Sequence, residues 1–78
     1  MKGTVAGGLT WGDMVRVVEQ APTHYHPGGV GSLCGFFEIE SVDVAKARGL
    51  RMGDVLCLVE FGDGTTVEIP RQLLVKVE

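Results

Sequence analysis

Seventy-eight residues with a formal net charge of −3 make one small domain, without room for separate cofactor and substrate domains. The acidic balance and scattered Lys and Arg argue against a general grip on nucleic-acid backbones. No apolar run approaches the ~18 residues of a membrane span, and the first residues lack a signal-peptide core, so the expected location is cytoplasmic. The chain is 45% hydrophobic, high for so small a domain, which implies that some apolar surface meets a protein partner or a second copy.

Residues 1–11 read as a Gly-rich lead-in and residues 12–78 as the folded domain. The β-branched run 14–19 (MVRVVE) follows the turn pair Gly12-Asp13 and predicts a first strand with Val15 and Val17 facing inward. The stretch QAPTHYHPGGVG is dense in Pro, Gly and polar residues and predicts a long exposed loop. A second strand is predicted over 30–40, where Gly31 and Gly35 allow a bulge or a sharp bend.

Residues 42–48 (VDVAKAR) hold helix formers between Ser41, an N-cap, and Gly49, a stop. A helix this short must lean on the sheet. Residues 55–61 (VLCLVEF) form the most apolar predicted strand, and Gly62-Asp63-Gly64 predicts a hairpin into a fourth strand over 65–69. Pro70 ends that strand, one 3₁₀ turn follows over 71–74, and 75–77 close the sheet. The expected fold is therefore all-β: a five-stranded SH3-like barrel with one short helix between the second and third strands. An OB-fold is the alternative, although it usually needs longer strands. Cys34 and Cys57 lie in apolar runs and read as buried free thiols.

Taken in order, GDMVRVV, a loop with Pro and His, GGVG, VAKARGL, LCLVEF and VEIPRQLLVKV resemble the SH3-like barrel in the C-terminal region of the nitrile hydratase β subunit. Electron-transport accessory proteins, such as the variable subunit of ferredoxin-thioredoxin reductase, share that barrel type. The resemblance covers residues 12–77 and implies a domain that docks on a larger enzyme or assembles with itself, without catalysis of its own. The sequence lacks the large N-terminal helical region of the nitrile hydratase chain and the cysteine cluster of its metal-binding partner. A second resemblance, to type II dihydrofolate reductase, would gather Val67, Glu68, Ile69 and Pro70 around the pore of an oligomer. Glu68 and Pro70 there replace the glutamine and tyrosine that such a pore uses.

His24, Tyr25 and His26 form an aromatic lip beside Pro27-Gly28-Gly29. Two histidines at i and i+2 in an extended loop would point to one side and could supply two ligands to a metal. With no third ligand nearby, the reading is a solvated or partner-binding loop, with no metal and no cofactor. Trp11 reads either as a plug at the end of the barrel or, if exposed, as an interface anchor with Tyr25. The partner-binding set is thus Trp11, His24, Tyr25, His26 and Arg71, with Arg71 or Arg16 meeting a partner carboxylate. Leu56 and Leu58 occupy positions where a half-buried strand should be polar, so either the helix covers them or they form an oligomer interface with Phe36. Carboxylates Glu38, Glu40, Asp43, Glu60 and Glu68 are spread over strand faces with no enclosure to shift their pKa values, whereas Asp13, Asp54 and Asp63 read as turn residues. The G-x-x-G of residues 28–31 resembles the turn of KOW-type RNA-binding barrels without their surrounding Lys and Arg.

Overall fold

In a computed structural model, which describes residues 8–77, five strands form one antiparallel sheet. They are β1 (Met14–Val17), β2 (Val30–Glu38), β3 (Val55–Phe61), β4 (Thr66–Pro70) and β5 (Leu74–Lys76), in the order β4-β3-β2-β1-β5. One helix, α1 (Val42–Arg48), joins β2 to β3, and 3₁₀ turns at Thr23–Tyr25 and Arg71–Leu73 precede β2 and β5. The mostly-β architecture and the single helix match the expectation from sequence. β1 and β2 each end two residues earlier than expected, and β5 begins one residue earlier, at Leu74.

The central strand β2 carries the main irregularity. Leu33 pairs with Val59, but Gly35 pairs with Leu58, so Cys34 is an extra residue in a β-bulge. The extra residue reverses the in-out alternation along the strand. Leu33 faces the core before the bulge, and Phe36 packs against that same core after it, leaving Phe37 outward and 40% exposed. Gly31 meets a different constraint. A Cβ there would lie 2.5 Å from the Glu60 carbonyl oxygen and 2.7 Å from Val59 Cγ1, so only glycine lets β2 approach β3 this closely.

Two apolar clusters result, one on each side of β3. The larger gathers Leu9, Val15, Val17, Leu33, Cys57, Val59, Ile69 and Leu74, all nearly or fully buried. Leu9 is wholly enclosed and packs into this cluster from outside the strands. Trp11 is 68% exposed, so of its two readings the plug is the one that fails. The smaller cluster comprises Ile39, Ala45 and Leu56, with Leu50 packed against it beneath α1.

The helix termini show why seven residues hold as a helix. The Ser41 hydroxyl accepts from the Val44 N–H at the start. At the other end Gly49 is left-handed (φ 69°), its N–H bonding to Lys46 and the Leu50 N–H to the Ala45 carbonyl, which is a Schellman closure. Leu50 and Ala45 then meet in the smaller cluster, the apolar contact such a closure favours. Leu56 is therefore fully buried below α1, which corrects its assignment to an oligomer interface. Phe36 is likewise turned to the core, and Leu58 is half-buried.

All three turns expected at glycine-adjacent aspartates are built as carboxylate caps; in the turn before β3, Asp54 Oδ2 accepts from the Arg51 N–H at 2.9 Å. Asp13 Oδ2 accepts from the Thr10 N–H at 2.9 Å and lies 3.7 Å from Lys76 Nζ. Asp63 accepts from the Thr65 hydroxyl at 2.7 Å and its N–H at 3.0 Å, while Gly64 takes the left-handed position of the hairpin. Hydrogen bonding from the Thr10 backbone, reinforced by Lys76, holds Asp13 below its ordinary pKa of 3.8. The Thr65 hydroxyl and N–H do the same for Asp63. Burial pushes the Cys57 thiol up, and Arg71 partly offsets it. Neither cysteine is in a disulfide; Cys57 is buried as expected, and Cys34, at the bulge, is half-buried.

Two outcomes follow from these contacts. Gly31→Ala should lower unfolding free energy by about 2–3 kcal/mol, because the backbone of β3 must move to admit a methyl group. Gly62→Ala, with open space around the added Cβ, should be close to neutral. Chemical denaturation of the two variants measures the contrast, and equal effects would refute the steric account. The depressed Asp13 and Asp63 pKa values stabilise the fold fully above the ordinary carboxylate value of 3.8, and that contribution is lost as pH falls through the lower folded values. The thermal midpoint should drop on the acid side of about pH 4, with a shallower fall in the D13N/D63N variant. An unchanged acid slope in that variant would assign the loss to other groups.

Candidate functional site

The outer face of β3 and β4 carries Leu56, Leu58, Thr66 and Glu68, opposite the core-facing Cys57, Val59, Val67 and Ile69. α1 lies over Leu56 and stops short of Leu58. An open groove of about 830 Å³ occupies the space beside it. Ala47 and Arg48, at the end of α1, form one wall, and His24 and Tyr25 form the other. Leu58, Thr66 and Glu68 make the floor, and Val67, whose side chain packs on the core, borders it.

The first 3₁₀ turn builds the aromatic wall. The Pro22 and Thr23 carbonyls accept from the Tyr25 and His26 N–H groups, and His26 closes the turn in the left-handed region (φ 60°). Tyr25 anchors the wall by packing on the main core, and the exposed His24 ring lies against it with centroids 4.0 Å apart. His26 turns elsewhere, onto Phe61, with centroids at 5.1 Å. The two histidines thus sit on different rings, which corrects the expectation that their i, i+2 spacing aims them to one side. The 3₁₀ turn and the left-handed His26 replace the extended backbone that the spacing argument assumed. Among the described residues no group of three or more His, Cys, Asp and Glu lies close enough together to hold a metal ion.

Arg48 and Glu68 make an ion pair across the groove, from α1 to β4, with side chains 40% and 34% exposed. Leu58 lies directly opposite Glu68 in the sheet, so the pair stands over a half-buried apolar floor. By sequence alone Glu68 is one of several solvated carboxylates, and Arg48 only a helix residue. Their pairing joins positions twenty residues apart and carries no local motif.

Of the five residues expected to form a binding surface, the groove unites only His24 and Tyr25. Trp11 stands in the turn before β1. Arg71 is half-buried in the second 3₁₀ turn and donates to the Leu74 carbonyl at 2.9 Å, bracing the entry to β5. Other exposed apolar residues gather on the outer face of β2, β1 and β5. There Arg16 lies between Val30 and Val75 in register, flanked by Met14 and Val77. Among the described residues no helix is long and apolar enough to cross a membrane.

No family model and no solved structure matches the chain. Among curated proteins it is similar to a 3,4-dihydroxy-2-butanone 4-phosphate synthase of Shewanella piezotolerans, with 37% identity over 70 residues, or 90% of this chain. The chain spans about a third (32%) of the length of that relative. A likeness to part of an enzyme overturns the expectation of a non-catalytic accessory module, and it points neither to a reductase pore nor to an RNA-binding barrel.

Proposed function

We propose that the chain is one folded segment of an enzyme acting on phosphorylated short-chain hydroxyketones, with 3,4-dihydroxy-2-butanone 4-phosphate as the representative ligand. The observation that carries this reading is the extent of the likeness. Seventy matched residues in a chain of 78 necessarily include 9–70, wherever the match begins, and so include every residue lining the groove. A match of that extent follows a whole fold and is not a single shared turn.

The groove suits such a ligand in kind. A short polyhydroxylated ketone phosphate has a small carbon skeleton, hydroxyl groups and one strongly anionic end. Leu58 offers apolar contact, Thr66 a hydroxyl, Tyr25 and His24 ring faces, and Arg48 a cation. We further infer that the sheet curls into an SH3-like barrel, the architecture implied by the resemblance to the barrels of nitrile hydratase and the electron-transport accessory proteins. Support comes from β5 pairing on the far side of β1, the bulge in β2 and the 3₁₀ turn leading into β5.

Isothermal titration of the chain with 3,4-dihydroxy-2-butanone 4-phosphate should give saturable binding of one ligand per chain. The dissociation constant should fall in the range of about 1 μM to 1 mM usual for enzyme ligands. Absence of heat and of any amide resonance shift at about ten times the upper limit of that range would overturn the reading.

A further inference from the structure

We infer that the Arg48–Glu68 pair is an anion-exchange site: the phosphate of an incoming phosphomonoester takes the place of the Glu68 carboxylate on the Arg48 guanidinium. The identity of the ligand rests on the function proposed above; the site itself rests on the groove. Arg48 is the one Lys or Arg among the described residues lining it. A guanidinium can donate to carboxylate or phosphate oxygens in the same forked geometry, and phosphate brings more charge and more acceptor oxygens. The ion pair holding Arg48 is partly exposed on both sides, so solvent screens it and its exchange is permitted.

The surroundings orient the ligand. Thr66 sits on the same face as Glu68 two residues earlier, and its cross-strand neighbour is the exposed carboxylate Glu60. That end of the groove repels a phosphate, whereas the Arg48 end attracts it. The phosphate therefore lies at the α1 wall, and the carbon skeleton runs over Leu58 toward Thr66 and the His24–Tyr25 wall. Glu68 acts as a placeholder: it neutralises Arg48 in the empty groove and opposes anion entry until it swings aside.

The test is an amide-resonance titration of the whole chain with three probes: 3,4-dihydroxy-2-butanone 4-phosphate, unphosphorylated 3,4-dihydroxy-2-butanone, and inorganic phosphate. The phosphorylated ligand should shift the amides of Tyr25, Arg48, Thr66 and Glu68, and inorganic phosphate should shift the Arg48 end alone. Arg48→Gln should weaken the phosphorylated ligand at least about tenfold and leave the unphosphorylated one unaffected. Glu68→Gln should tighten the phosphorylated ligand by about fivefold, because the competing charge is gone. Both side chains are partly exposed, and the spectrum of each variant reports whether it is folded. Binding of the phosphorylated ligand with undiminished affinity in Arg48→Gln, or weaker binding in Glu68→Gln, would overturn the exchange site while leaving the proposed function standing. Inorganic phosphate binding at Arg48 as tightly as the ketone phosphate would support the exchange site and overturn the proposed function.

Discussion

The close approach of β2 to β3 is the constraint on which the rest of the structure depends. Gly31 lets the two backbones meet where any side chain would collide with the Glu60 carbonyl. Three residues later the bulge at Cys34 reverses the facing of the strand. Were the same residues paired regularly, with no bulge, Phe37, not Phe36, would point inward, and the larger cluster would lose continuity between Leu33 and Cys57. The bulge thus decides which half of an adjacent aromatic pair is core and which meets solvent.

Strand β3 is then apolar on both faces for two different reasons. Val55, Cys57 and Val59 serve the larger cluster, and Leu56 serves the smaller one beneath α1. A seven-residue helix is only about 10 Å long, enough to roof Leu56 and too short to reach across Leu58 as well. The groove is the direct consequence. It is bounded where the helix stops at Gly49 and where the 3₁₀ turn, pinned by Tyr25, supplies the opposite wall.

Local features of this fold are legible in the residues because local chemistry specifies them. Ser41 and Gly49 bracket the helix, and β3 runs over the expected 55–61, bounded by Gly53-Asp54 and Gly62-Asp63. Features set by long-range packing are not. Leu9 and Trp11 sit two positions apart in a Gly-rich stretch, and nothing local says that the leucine fills the core while the indole stays outside. The excess of apolar residues suggests a surface for another protein; a roofed Leu56 and an inward Phe36 absorb part of it within the chain. His24 and His26 diverge because backbone conformation, not spacing, aims a side chain. The candidate site is least legible, since Arg48 and Glu68 meet only through the docking of α1 on β4.

The same ion pair raises the question of whether exchanging it would release the helix. Its two ends lie on α1 and β4, so it ties the helix to the sheet as well as lining the groove. The helix, however, has three other supports: the Ser41 cap, the Gly49 closure and the cluster of Ile39, Ala45, Leu50 and Leu56. Burial of that cluster outweighs a half-exposed ion pair, which typically contributes about 0–1 kcal/mol, whereas one fully buried aliphatic side chain contributes about 1.5–3 kcal/mol. Arg48 can therefore change partners while α1 stays seated. A wall that remains fixed while its charged group is exchanged gives a ligand a preformed groove to enter, without the cost of rebuilding one.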